Sequence, residues 1–443
     1  MVQLLLAALP SLATQKDDLN RVLKRSNRTL AFYSASHQTE SPGLGLFRKN
    51  DANKGNLKDV HKRAKGDAPG EYVYAAYMGE VHMFVDVKTS DDLDPFTDPP
   101  DGDIPPEYRF TVNTRKKYRD YEELDDKGAR VLALGRSARY AHVVQTRQFR
   151  TCIYSIFVAG TTARLLRWDR SGVIVTESFN YKSKPGILAG FVWLVSKATP
   201  EQRGFDPSAI ATNSKAERLR FLNAIRKHVE EQLPGLSAKQ IKEEVNKHYS
   251  PGAVMHLTVG TGDEAYGVLV SRPMFTSHRT TGQSTIGYWG VDCESGDGEV
   301  VFIKDIWRKH TPEVETEGVL LKGLLDKEVR NIPELVCHGD VIYKGEAIFL
   351  VSGLLDLILQ NEGTKQTTQT NMFVEEDWVE SLRQMDPRHR FTARIHYRLV
   401  TKRAGFRLSD LKGTKELLSA TFDVFIGTPF ICYTCLSLIT PTL

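Results

Sequence analysis

The chain has 443 residues, enough for two or three domains at about 150 residues each. Its 41% hydrophobic and 26% charged residues describe a globular protein and exclude collagen-like, mucin-like, wholly disordered and polytopic membrane classes. With 59 basic and 55 acidic residues, the net charge of +4 gives no bulk electrostatic reason to bind nucleic acid. Five cysteines with one CxxC (Cys432, Cys435) make no disulfide framework, so an intracellular, reducing compartment (cytoplasm or nucleus) is expected.

The apolar run Leu4 to Leu9 has no basic region before it and is broken by Pro10, so a docking helix is expected there rather than a secretion signal. Residues 13–68 are polar and turn-rich, and segment 1–68 is expected to be irregular or helical. Val81, Met83 and Val85 then alternate with His82, Phe84 and Asp86, which predicts a strand. The Asp/Pro-rich stretch 90–106 reads as a loop. Residues 120–145 read as a helix, with Leu132, Leu134, Ala138 and Ala141 on one face. Two strand-like runs follow, 149–160 and 163–179, and Asp169 to Gly172 is a turn that makes the second run a hairpin. Residues 69–205 are thus an α/β domain.

Residues 206–252 read as a helical linker. Ser214 with Glu217, and Ser237 with Gln240, are spaced as capping boxes. Leu222, Ile225, Val229 and Leu233 share a face of the first helix, which Pro234 ends. From Met255 the pattern is strand-rich. Residues 281–307 read as strand, turn (Glu294 to Gly298) and strand, and Val300 to Ile303 is apolar without alternation, as in a buried strand. A helix fits Glu315 to Lys327, with Val319, Leu320 and Leu324 inward. The apolar run 344–363 reads either as sequence out of place in the chain or as an extra helix. The tail 427–443 is apolar but broken by Pro429 and Pro441 and lacks a flanking basic cluster, so no membrane association is expected.

Two constellations carry chemistry. Lys304 ends an apolar strand, Glu317 lies thirteen positions on, and Gly282, Gly287 and Gly290 punctuate the preceding segment. Nucleotide phosphates need such parts: glycines for close backbone approach, a lysine for charge, a glutamate to hold the lysine. Spacing alone leaves open a solvated surface pair. In the first half, Asp86-x-Lys88 ends a strand with Glu80 upstream, the carboxylate-and-lysine pattern of restriction-endonuclease-like nucleases that hold Mg²⁺. RQFR (147–150) and RWDR (167–170) would add positive charge for nucleic acid. The other reading is a regulatory α/β domain with Asp86 and Lys88 as surface charges.

Ordered motifs add to this. FxKDxWR stands at Phe302, Lys304, Asp305, Trp307 and Arg308; E-x-E-G at Glu315, Glu317 and Gly318; NIP at Asn331 to Pro333; GD at Gly339 and Asp340; HYRLV at His396 to Val400. RQFR, ARLLRWDRSGVIVTESF (163–179) and the FxW of Phe191 to Trp193 accompany them upstream. In these the chain resembles the fungal-type protein kinase family, expanded in mushroom-forming fungi. The resemblance implies an α+β architecture: a protein-kinase-like small lobe within an incomplete kinase domain (253–426), preceded by the α/β domain. It implies ATP and Mg²⁺ as cofactors and Ser/Thr of a protein as substrate. Lys304 would meet the α/β-phosphates of ATP, Glu317 would be its partner with Glu315 a poorer candidate, and Gly282 to Gly287 would cover the phosphates. Arg398 to Lys402 would form the fifth strand and hinge, with Val400 at the ATP site, and a helix from Thr414 would begin the large lobe.

The family's His-Arg-Asp catalytic loop and metal-binding Asp segment have no counterpart in this sequence; CHGD (337–340) precedes the hinge. A truncated or mis-spliced chain, inactive as a kinase, is therefore expected. A non-catalytic pseudokinase or interaction module is the alternative, and a nuclease-like first domain the third.

Overall fold

The structure, a computed structural model, describes residues 20–21, 30–34, 43–48, 78–102, 105, 108, 110–112, 126–250, 252–260, 265–277, 280–293, 295, 298–310, 314–343, 347–351, 356–360, 364–370, 392–406, 413–415, 417–419 and 421–422. The expectations for Leu4 to Leu9, for the tail 427–443 with its CxxC, and for most of the turn at Glu294 to Gly298 lie outside these residues.

In the first half, β1 (Leu30–Ser34), β2 (Leu44–Arg48) and β3 (Met83–Lys88) form an antiparallel meander. The helix α1 (Asp126–Arg147) crosses over, and β4 (Ile153–Ala159) pairs parallel to β3. The strands β5 (Thr162–Trp168) and β6 (Val173–Val175) are the expected hairpin, and the short β7 (Phe179–Asn180) pairs with β5. A second helix, α2 (Pro185–Lys197), covers the opposite face from α1. Both faces of β4 are covered, so it is buried along its whole length. Tyr154, Ile156 and Val158 pack with Leu188, Val192 and Val195 of α2. Ile153, Phe157 and Ala159 pack with Ala133, Tyr140, Ala141 and Val144 of α1.

Within segment 1–68, expected to be irregular or helical, the described residues include the strands β1 and β2 of this sheet. Five residues each, LAFYS and LGLFR, are too few for alternation to declare itself, and pairing with β3 decides their conformation.

The second half runs β8 (Ala209–Ala211), α3 (Lys215–Gln232), α4 (Ala238–His248), β9 (Met255–Val259), β10 (Tyr266–Thr276), β11 (Ile286–Asp292) and β12 (Val300–Lys309). It continues with α5 (Glu317–Asp326), β13 (Leu335–Asp340), β14 (Ala347–Val351), β15 (Asp356–Gln360) and β16 (Arg394–Lys402). The sheet order is β13-β16-β12-β11-β10-β9-β8, with every described neighbour pair antiparallel. The last described strand, β16, therefore lies between β12 and β13. Within the run 344–363, β14 and β15 pair antiparallel, so its described residues are strand and not the extra helix.

The helices α3 and α4 are no free linker. Phe221, Ile225 and Val229 of α3 and Val245 of α4 pack with Trp289, Val291 and Val300 of the sheet. Ser237 and Gln240 form the full capping box on α4. On α3, Ser214 accepts from the Glu217 amide at 3.2 Å, but the Glu217 carboxylate turns to the Thr212 hydroxyl, so only half of that box forms. Among the described residues no helix is long and apolar enough to cross a membrane.

Candidate functional site

Successive side chains on a strand face opposite ways. The adjacent Lys304 and Asp305 of β12 consequently enter different surroundings. Register pairs Lys304 with Leu399 and Phe302 with Thr401. These four line an open groove of about 390 Å³ with Phe275, Pro333 and Glu317, Leu320, Leu321 and Leu324 of α5. Lys304 Nζ lies 2.8 and 2.6 Å from the two Glu317 oxygens. The side chains keep 27% and 45% of their exposure, so the pair adds no more than about 1 kcal/mol to stability. Glu315 is exposed ahead of the helix, and the lysine's partner is Glu317.

The start of α5 is held by its next residue. Gly318 is buried, and its amide donates to the Tyr397 hydroxyl at 2.8 Å. A Cβ at this position would run into the His338 ring and the Tyr397 hydroxyl, so only glycine lets the helix come this close to β13 and β16. The helix presents Leu320 and Leu324 to the groove, but Val319, expected inward, is 44% exposed.

The glycines separate into two kinds. Gly287 and Gly290 lie within β11, not in a hairpin turn; a Cβ there would collide with Phe275 and Val268. Gly287 makes room for the rings of Phe275 and Phe302, which stack at 6.3 Å and 29°. Phe302 stands two residues before Lys304, where the kinase Val-Ala-Ile-Lys pattern has alanine. Gly282 is a true loop residue with φ of 110°, and its amide donates to the Arg170 carbonyl of the first half at 2.9 Å.

Val400 does not reach the groove. It is fully buried on the opposite face among Val301, Ile303 and Tyr288, and its strand neighbours Leu399 and Thr401 are the groove residues. Beyond β16, the Ala404 carbonyl accepts from His228 Nε2 at 2.7 Å and the Gly405 carbonyl from Trp289 Nε1 at 3.1 Å. Burial pushes the His228 pKa down, which favours the neutral ring as donor. The segment after β16 is thus braced by α3 and β11. The stretch Thr414 to Phe422 is helical where described, as the large-lobe helix would be.

The opposite face of β12 and β16 holds a buried polar network missed in the sequence. Asp305 accepts from His396 Nε2 at 2.8 Å and Arg398 Nε at 2.9 Å. Arg398 also donates to Asp206 (2.7 Å) and to the Ser208 hydroxyl (2.8 Å). Gln366 gives its amide N–H to Asp206 and faces His396 Nδ1 with its oxygen, both at 2.8 Å. Both ring nitrogens of His396 therefore face side-chain oxygens, one of Gln366 and one of Asp305. Burial alone would raise the Asp305 pKa, but His396 and Arg398 outweigh it and hold it well below the usual range. Asp206 is lowered likewise against its burial, by Arg398 and His396. Trp307 stacks on His396 at 4.7 Å and 2°. Nearby, Arg308 grips Asp340 with two bonds of 2.8 Å. Asp206 sits in a linker with no local signal; only the fold brings it to Arg398.

Of the nuclease-like candidates, Asp86 and Lys88 meet each other. Asp86 is 2% exposed; Lys88 Nζ lies 2.7 Å from one oxygen and the Ser137 hydroxyl donates to the other. Asp86 and Lys88 are therefore an internal pair, while Glu80 lies in an exposed turn before β3. Among the described residues no group of three or more His, Cys, Asp or Glu is placed to hold a metal. Of the four arginines in RQFR and RWDR, expected to add positive charge, Arg147 is exposed, but Arg150, Arg167 and Arg170 are all 5% exposed or less. Arg150 donates to the carbonyls of Arg203, Val81 and His82 and lies 3.5 Å over the Phe205 ring.

The family model described as fungal protein kinase matches residues 111–429, which take in α1, the rest of the first sheet and nearly all of the second half. No curated protein and no solved structure matches the chain.

Proposed function

The chain belongs to the fungal protein kinase family, and from that premise we propose that its second sheet is a kinase-type small lobe whose groove binds ATP. The observation that carries this is the Lys304–Glu317 pair at the groove, with the lysine on the third strand of the five-strand run β10, β11, β12, β13, β16 and the glutamate on the helix that follows. Lys304 supplies a point charge for the α/β-phosphates, and Glu317 holds the ammonium in place. A second cavity, lined by Phe302, Pro333, Thr401, Lys402, Arg403 and Gly405, shares three residues with the groove and gives the base a site beside the hinge. There Phe302 offers a ring face for stacking where the common kinase pattern offers a methyl group.

Mg²⁺ neutralises developing phosphate charge in kinases when bound. The described residues offer no carboxylate set for it. The sequence also lacks a His-Arg-Asp base to take the proton of a protein Ser or Thr hydroxyl. The residues of this chain thus bind and orient a nucleotide. Transfer to a protein hydroxyl also needs a base and metal carboxylates, and no group placed to hold a metal stands among the described residues. An intact clamp without a base favours, as second reading, a nucleotide-binding pseudokinase module.

Calorimetric titration with ATP, with and without Mg²⁺, tests the clamp. Lys304→Ala is expected to weaken binding at least about tenfold; wild-type affinity in that variant overturns the site. Transfer of labelled phosphate to a Ser/Thr substrate protein, abolished by the same substitution, would favour the catalytic reading over the pseudokinase one.

A further inference from the structure

The hairpin turn between β5 and β6 reaches into the second half of the molecule. Asp169, fully buried, is its centre. One oxygen accepts from the amides of Ser171 (2.9 Å) and Gly172 (3.1 Å) and from the Thr370 hydroxyl (3.1 Å). The other accepts from the amides of Gln369 (2.9 Å) and Thr370 (3.1 Å) and from Arg167 (3.2 Å). The same carboxylate therefore shapes its own turn and grips a chain segment two hundred residues away. The Ser171 hydroxyl adds a bond to the Thr392 carbonyl and a contact with the Thr368 hydroxyl, both at 2.8 Å. Behind the turn, the Arg170 guanidinium is tied to Gln145 of α1 at 3.1 and 2.9 Å.

At the tip of this turn the Arg170 carbonyl accepts from the Gly282 amide at 2.9 Å. One residue on, the Gln283 carbonyl accepts from the Trp307 amide of β12 at 2.8 Å. The loop between β10 and β11, next to the strand that carries Lys304, is thus pinned at two consecutive residues, once by its own sheet and once by the first half. A loop fixed before its ligand arrives need not be ordered on binding, which favours affinity. The family match spans both halves, as it should if the turn and the loop work as one unit.

We propose that the Asp169–Gly172 turn is a positioning element of the nucleotide site, holding the glycine loop in its binding geometry. This rests on the ATP reading of the groove, and the test separates the two. Amide hydrogen exchange and ATP titration are run on wild type, Asp169→Asn, Ser171→Ala and Lys304→Ala. In Asp169→Asn one acceptor oxygen becomes an NH₂ facing amide donors. Exchange at 282–288 is expected to rise at least about tenfold while β4 stays protected. ATP affinity should fall about tenfold, with a smaller change in the same direction for Ser171→Ala. Lys304→Ala should lose affinity with no change in loop exchange. Wild-type exchange and affinity in both turn variants, with β4 protected, overturns the proposal. If Asp169→Asn also exposes β4, it reports unfolding and Ser171→Ala decides alone. Increased loop exchange in a protein whose wild type binds no ATP would sink the nucleotide reading and reduce the turn to an anchor between the sheets, also overturning its positioning role.

Discussion

Lys304 and Asp305 are neighbours in sequence and belong to opposite regions of the molecule. On the groove side, β12 and β16 present Phe302, Lys304, Leu399 and Thr401 to an open cavity, with one exposed ion pair. On the other side, Asp305, His396 and Arg398 are buried and tie the sheet to Asp206, Ser208 and Gln366. The first side is cheap to alter in stability terms and open to a ligand. The second is closed to ligands and costly to disturb. Several of the motif residues (Asp305, Arg308, Gly318, Asp340, His396 and Arg398) thus act in architecture, and under the proposed function the nucleotide contact falls to Lys304 and Glu317. The resemblance alone does not make that division; the pleat does.

The largest effect should come from the closed side. Asp305→Ala leaves Arg398 and His396 buried without their shared carboxylate and should cost about 3–5 kcal/mol, read from the urea midpoint. A wild-type midpoint would mean the network is not closed as described. A smaller effect is expected where the two sides meet. Tyr397→Phe removes the hydroxyl that holds the Gly318 amide. It should cost about 1 kcal/mol and also weaken ATP binding, because Glu317 begins the same turn of α5. Unchanged ATP affinity would show that Glu317 keeps its place without Tyr397.

The smallest effect is in pH. The Asp206 and Asp305 pKa values are depressed in the folded state. Their contribution is complete above the unfolded carboxylate value of about 4 and is lost as pH falls towards the folded values. The stability of wild type should therefore fall more steeply than that of Asp305→Asn between about pH 5 and pH 3. Parallel curves would remove the electrostatic explanation.

Local signals in the sequence carried far in some places. The capping box of Ser237 and Gln240, the turn at Asp169 and the apolar run into Lys304 each depend on a few adjacent residues, and each is found in the structure. Features that need register or long-range contact were not legible. Val400 and Leu399 cannot be assigned to faces until β16 is set against β12. Arg150, Arg167 and Arg170 of RQFR and RWDR read as free positive charge because nothing nearby announces the carbonyls and carboxylates that bind them. The helix α2, PGILAGFVWLVSK, is apolar nearly all round, and such a run cannot be told from a buried strand by periodicity. In the candidate site, Lys304 and Glu317 were legible from spacing and family motifs. The support from Tyr397 and the tie from Arg170 to Gly282 depend on contacts 79 or more positions apart and were not.

The most direct test of the division between the two faces is urea unfolding of wild type, Lys304→Ala and Asp305→Ala, each with and without ATP. Wild type should gain stability with ATP. Lys304→Ala should match the ligand-free wild-type midpoint to within about 1 kcal/mol and gain nothing from ATP, while Asp305→Ala should unfold at much lower urea. A full ATP response in Lys304→Ala, or a wild-type midpoint in Asp305→Ala, would contradict the division.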